Sequence, residues 1–295
     1  MKDILAAVIA AVEAEGERLA AEFMRADGPR GRRGSAPIDR EMEERLRETL
    51  LRLLSCAFVG EETGVSGNVS DSVWLVDPHD GTFEFTGGKR GSAVSVALLK
   101  KSVPVLGVVH SPLSPDCGRD TIAWAQGAGP IRRNGKALEV DLSHRRLAAG
   151  EFVFATGSSA LRPGAWSRAC APARYIALPS IAYRLARVAA GDGVATVSIH
   201  GVNEYDVAAG IALVRAAGGV VLDAQGKEVA LTGEAGRRLS GCVAGAPAAA
   251  AQLSAHDWKS LEDEPQQDPR VALGFPRTTP PARLDRAAAC LLGQV

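Results

Sequence analysis

The sequence predicts an alternating α/β chain, and three observations carry that expectation. Gly supplies 32 of the 295 residues, which implies many tight turns and helix–strand junctions and suits α/β better than a helical bundle. Aromatic residues make up only 5%, so the core is built mainly from Ala, Val and Leu. From about residue 150 onward, short apolar runs alternate with segments of helical periodicity.

Composition narrows the function classes. Apolar residues make up 46% and charged residues 23%, the balance of a soluble globular protein. Lys plus Arg number 34 and so do Asp plus Glu, so zero net charge argues against a broad surface for a nucleic-acid polymer. No apolar run reaches the roughly 18 residues of a membrane span. Cys56, Cys117, Cys170, Cys242 and Cys290 lack zinc or redox spacing and fit reduced thiols in a cytoplasm. The length allows one large domain or two modest ones.

The apolar start is an amphipathic helix rather than a signal peptide. Leu5, Val8, Ile9, Val12, Leu19 and Phe23 recur at helical spacing, with Glu13, Glu15 and Glu17 between them. A basic Gly-rich loop (27–36) leads to a second helix from about Asp39, striped by Met42, Leu46, Leu50 and Leu53. AFVG (57–60) is a short buried strand running into Glu61-Glu62. TGVSGNVSDS (63–72) reads as a loop, and WLVDP (74–78) as a strand that stops at Asp77-Pro78. AVSVALL and VPVLGVV pair across a turn at Lys100, Lys101 and Ser102, and a second hairpin turns at Asn134-Gly135. Then come the strand EFVFATG, a helix over 180–190 ended by Gly191, the strand VATVSI, and a helix from Tyr205 closed by Gly218-Gly219. The strand VVLD follows. From 256 to 283 the chain turns polar and reads as a linker, and 284–295 as a last short helix.

The chemistry concentrates in WLVDPHDGT. The strand delivers Asp77 at its end, Pro78 forces a turn, and Asp80 comes three residues later, so both carboxylates can face one point. Gly81 permits close backbone approach, and Thr82 opens a helix whose free N–H groups suit an anion. Carboxylates beside an anion site repel it unless cations lie between, which points to a hard divalent ion such as Mg²⁺ bridging protein to phosphate. An Asp-rich turn with an Asx cap is the alternative. Glu61-Glu62 equally suits a strand ending in solvent, and Asp206 a helix cap favoured by the macrodipole. The co-occurrence of three such clusters favours a site.

Gly60-Glu61-Glu62, Asp77-Pro78-His79-Asp80-Gly81-Thr82 and Tyr205-Asp206-Val207-Ala208-Ala209-Gly210 together resemble the ordered signature of the inositol monophosphatase superfamily, over about residues 1–255. The resemblance implies a layered α/β/α/β/α sandwich and Mg²⁺-dependent, Li⁺-sensitive hydrolysis of a phosphate monoester. It assigns Glu61, Asp77, Asp80 and the backbone carbonyl of His79 to one ion, and Asp77, Asp80 and Asp206 to a second. A third, weaker site would fall on Asp39, but this stretch is shorter than the family's and lacks its Thr. The His79 imidazole is expected to be packed or exposed rather than a ligand. The N–H groups of Gly81 and Thr82 would bind the phosphoryl oxygens, and Glu61 with the Thr82 hydroxyl would orient and deprotonate the attacking water. Asp80 belongs to the same catalytic set.

For the substrate, the resemblance leaves two branches open. DGTFEF and Asn203-Glu204-Tyr205-Asp206 lean toward the branch acting on 3′-phosphoadenosine 5′-phosphate, with Glu204 at the substrate. Ile199 stands where the inositol branch places an acid. Lys89 and Arg90 suit a second phosphate or a plain exposed turn. LDRAAACLLGQV (284–295) resembles the opening helix of an ADP-ribosylglycohydrolase domain, or is a native C-terminal helix. The fusion reading makes a phosphate- or nucleotide-sensing module attached to an ADP-ribosyl hydrolase the alternative function, which the intact carboxylate set argues against. Homodimers are common in the superfamily.

Overall fold

Residues 1–266, except Arg33 and Val69, are described by the computed structural model of the chain. The two predicted amphipathic helices form as α1 (Lys2–Phe23) and α2 (Pro37–Leu53). They are followed by β1 (Ala57–Gly60), β2 (Gly64–Gly67), β3 (Ser72–Asp80) and the short α3 (Thr82–Thr86). Three longer strands continue the sheet: β4 (Ala93–Lys100), β5 (Val103–Ser114) and β6 (Gly118–Ala125). The small hairpin β7 (Arg132–Arg133) and β8 (Lys136–Ala137) ends it. The second half comprises β9 (Phe152–Ala155), α4 (Pro163–Cys170), β10 (Arg174–Ala177), α5 (Ile181–Ala189), β11 (Ala195–Ser198), β12 (Val202–Asn203) and α6 (Glu204–Ala216). It closes with β13 (Val220–Leu222), β14 (Arg238–Leu239), β15 (Cys242–Gly245), α7 (Pro247–Ser254) and α8 (Ser260–Asp263).

The layers follow from strand parity. On β3 and β4, Trp74, Val76, Val94, Val96 and Leu98 point to one face, where they bury Val8, Val12, Leu19, Met42, Leu46 and Leu50 of α1 and α2. Leu75, Ala97 and Leu99 point to the other, into the apolar sides of α5 and α6. The first sheet has the order β2-β1-β3-β4-β5-β6-β7-β8, and the second β10-β9-β11-β15-β13. Helices α5 and α6 lie between the sheets, while α4 and α7 cover the second, giving the α/β/α/β/α sandwich. Gly107 on β5 is required by this packing, because a Cβ there would stand 2.4 Å from the Ala209 carbonyl of α6.

Several expectations are corrected. The 63–72 segment is not wholly loop: β2 returns antiparallel on β1. Its outward Val65 is exposed, so backbone pairing alone makes the strand and no apolar pattern announces it. Strand β3 does not stop at Pro78. It reaches Asp80 through a bulge, pairing Asp77 with Ser95 and Asp80 with Ala93. Its other neighbour, β1, ends opposite Val76, so the N–H that Pro78 lacks is not needed. The 256–283 linker does not begin at 256. Trp258 stacks on Trp166 at 5.2 Å between centroids, and Leu261 is buried. Arg168 pairs with Glu264 at 2.6 Å, so the domain holds the chain through Glu264. The helix expected at 284–295 lies outside the described residues.

Candidate active site

Parity also places the site. Asp77 shares the face of Leu75 and therefore looks toward α6, where its partner Ser95 donates to the Tyr205 carbonyl at 3.4 Å. The N-terminus of α6 carries Asp206 there. Gly81, with φ of +95°, turns the chain out of the bulge into α3. The N-terminus of α5 meets Asp80 through Ser180 and Ala182.

Three aspartates share one arrangement. Asp77 Oδ1 accepts from the His79 N–H at 2.8 Å. Asp80 Oδ2 accepts from Ser180 Oγ at 2.6 Å and from the Ala182 N–H at 2.7 Å. Asp206 Oδ2 accepts from the Asn203 N–H at 2.7 Å, as the N3 acid of a capping box. Each therefore has one oxygen anchored; on Asp80 and Asp206 the other takes no hydrogen bond from the described residues, while the Asp77 carboxyl also shares a hydrogen bond with Glu61. The cap that was the alternative role of Asp206 coexists with an open ligand position.

Repulsion marks the same set. Burial and then Glu61, Asp80 and Asp206 push the Asp77 carboxyl well above its usual range. Burial raises Asp80 too, against Ser180, Ala182 and Arg184, which lower it. Asp206 is raised well above its range by burial and then by Asp80 and Glu61. Glu61 keeps solvent contact by surface area, yet it is pushed up to about 7. The wall around it is the largest cause, with Glu62, Asp80 and Asp39 adding to it, while a hydrogen bond with Asp77 acts in the other direction. Four neighbouring carboxyls with raised proton affinity, opposed by the single cation Arg184 at Asp80, are a set of hard oxygen donors that fits a hard divalent cation. Among the described residues no three His, Cys, Asp or Glu side chains stand close enough to hold an ion as they are.

The remaining predicted residues sort differently. Thr82 Oγ1 donates to the His79 carbonyl at 2.6 Å, beside the Gly81 turn. Asp39 has no open oxygen: Oδ1 lies 2.7 Å from His79 Nδ1 and Oδ2 accepts from the Ala36 N–H at 3.0 Å. Both oxygens of the expected third-site ligand are thus engaged within the protein. Glu204, expected at the substrate, is engaged as well. Its buried carboxylate accepts from the Thr232 N–H at 2.8 Å and the Gly233 N–H at 2.7 Å, pinning that loop. Lys89 and Arg90 are exposed in the loop after α3.

Three residues escaped the sequence reading. Glu43 on α2 is fully buried and accepts from the Glu62 and Thr63 N–H groups at 2.8 and 2.7 Å and from Thr63 Oγ1 at 2.6 Å. It shapes the turn that carries Glu61. Gly60 leaves room for it, since a Cβ there would lie 2.3 Å from its carboxylate. Ser180 caps α5 through the Tyr183 N–H at 2.9 Å while donating to Asp80. Arg184 is buried, bonded to the Ser180 and Val197 carbonyls at 3.3 and 3.1 Å. Burial lowers it to about 10, with Asp80 opposing. Its only signal was a charged residue inside an apolar helix.

A layered α/β/α/β/α fold with open carboxylates where strands end and helices begin defines a class of phosphatases. The family model of the inositol monophosphatase family matches residues 4–262, and the chain belongs to that family of phosphoric monoester hydrolases. The uncharacterized protein y4fL of Sinorhizobium fredii is 34% identical over 199 residues, covering 64% of this chain and 67% of that one. The fructose-1,6-bisphosphatase/inositol-1-monophosphatase of Thermotoga maritima is 31% identical over 197 residues, covering 65% and 72%. Among solved structures, the extragenic suppressor protein suhB of Bartonella henselae matches with a TM-score of 0.69 at 22% identity, over 88% of this chain and 98% of that one. An inositol monophosphatase of Thermotoga maritima matches with 0.66 at 24%, over 86% and 95%. These structural likenesses bear on the fold. No helix among the described residues is long and apolar enough to cross a membrane.

Proposed function

We propose that the protein hydrolyses a small phosphate monoester with Mg²⁺, held by Glu61, Asp77, Asp80, Asp206 and the His79 carbonyl. The observation that carries this reading is the anchoring of the three aspartates by one oxygen each, beside Glu61. When bound, Mg²⁺ supplies Lewis acidity toward the phosphoryl oxygens and acidifies bound water. The chain's own groups do the rest. Glu61, which shares a hydrogen bond with Asp77, would accept the proton of the attacking water. The Thr82 hydroxyl, fixed by the His79 carbonyl, orients that water. The N–H groups of Gly81 and Thr82, at the start of α3, would meet the phosphoryl oxygens.

The substrate is a phosphorylated nucleotide such as 3′-phosphoadenosine 5′-phosphate, or an inositol or sugar phosphate. Ile199 in place of an acid and the cationic Lys89 and Arg90 support the first; the names of the Thermotoga maritima relatives support the second. Li⁺ inhibits the reaction, the protein works in the cytoplasm, and a homodimer is the expected assembly. The test is phosphate release from a panel of bisphosphorylated adenosine, inositol phosphates and sugar phosphates, with Mg²⁺ and with EDTA. Mg²⁺-dependent release from at least one compound is expected; release from none contradicts the reading.

A further inference from the structure

One buried contact beside the site is absorbed by none of the roles above. His79 is 1% exposed and Asp39 2%, and His79 Nδ1 meets Asp39 Oδ1 at 2.7 Å. Asp39 is itself fixed, because its other oxygen takes the Ala36 N–H and closes the capping box of α2. The imidazole also stands edge-on to the Phe85 ring, with centroids 4.3 Å apart. Its Nε2 is buried with no hydrogen-bond partner among the described residues. An apolar side chain would fill this space without burying an unpaired nitrogen, so the bond to Asp39 is what the ring contributes.

The main chain of the same residue sits at the centre of the site. The His79 N–H holds Asp77 Oδ1 at 2.8 Å, and its carbonyl takes the Thr82 hydroxyl at 2.6 Å. This peptide belongs to the bulge between Asp77 and Asp80, where ladder bonds do not fix it. Whatever locks the imidazole therefore locks the orientation of Asp77 and Thr82.

We propose that Asp39 and His79 form a positioning pair. Anchored in the first turn of α2, the pair fixes the 77–80 bulge through the imidazole, and it occupies the carboxylate that would otherwise hold a third cation. The inference rests on the Mg²⁺-phosphatase reading. A partner one shell out from the ligands characteristically changes metal affinity by about 10–100-fold.

The test is Mn²⁺ titration of the metal-stripped full chain, with free Mn²⁺ read by electron paramagnetic resonance and folding checked by circular dichroism. The wild type is expected to bind two ions. His79→Leu is expected to bind them at least about tenfold more weakly. His79→Asn, whose amide N–H falls near the Nδ1 position, is expected to recover most of the loss. If His79→Leu does not fold, His79→Gln, with its amide one bond too far out, takes its place and is expected to bind weakly. Unchanged Mn²⁺ affinity in the folded variant overturns the inference alone, as does a third ion in the wild type that Asp39→Asn abolishes. A wild type that takes up no Mn²⁺ overturns the phosphatase reading, and this inference with it.

Discussion

Ser180 Oγ donates to Asp80 Oδ2 at 2.6 Å while accepting the Tyr183 N–H at 2.9 Å. One hydroxyl thus starts helix α5 and aims a carboxylate. Ser180→Ala removes both bonds. It is expected to lower stability by about 1 kcal/mol, the usual effect of losing an N-cap. It should also weaken divalent-ion binding about tenfold, because Asp80 keeps only the Ala182 N–H. Urea denaturation and Mn²⁺ titration measure the two effects separately.

Glu43 satisfies three donors of the 61–63 turn from a fully buried position. Glu43→Ala leaves them unpaired, and a loss of at least about 2 kcal/mol is expected. Because that turn carries Glu61, kcat should fall as well, measured at saturating Mg²⁺. Gly60→Ala forces its Cβ into the same carboxylate and should reproduce both losses.

His110 gives the stability a pH dependence remote from the site. Its Nδ1 lies 2.8 Å from Thr121 Oγ1, which donates onward to Glu13 at 2.8 Å. Burial lowers its pKa from about 6.5 to about 4. The unfolded chain takes a proton below pH 6.5 that the folded chain refuses down to about pH 4. The His110 contribution is therefore complete above pH 6.5 and is lost as pH falls between those values, at up to about 1.4 kcal/mol per pH unit. Urea denaturation at pH 7 and pH 5 should show that loss in the wild type and a smaller one in His110→Asn.

Much of this was readable in the residues, for physical reasons. Helical spacing marked α1 and α2 because each buries one stripe, whereas α5 and α6, buried on all sides between the sheets, were marked by apolar runs of helical length closed by Gly. The motif aspartates were visible because Asp77 follows a buried apolar run on its strand and Asp206 lies in the first turn of a buried helix. Glu43, Ser180 and Arg184 were not: Glu43 acts on a turn carried by another element, Ser180 acts on Asp80 from a capping geometry that any Ser could supply, and Arg184 acts through main-chain carbonyls that no side-chain pattern announces. Glu204 misled for the opposite reason. It stands two residues before Asp206 in the motif, yet on α6 it faces the 232–233 loop.

The most direct measurement is phosphate release by Asp80→Asn at saturating Mg²⁺ on the best compound of the substrate panel. The substitution keeps the shape of Asp80 and removes its charge. Turnover is expected to fall at least about a hundredfold, as when a preorganised charge-stabilising group is lost. Turnover close to that of the wild type would contradict the assignment of the open carboxylates to metal-assisted phosphate hydrolysis.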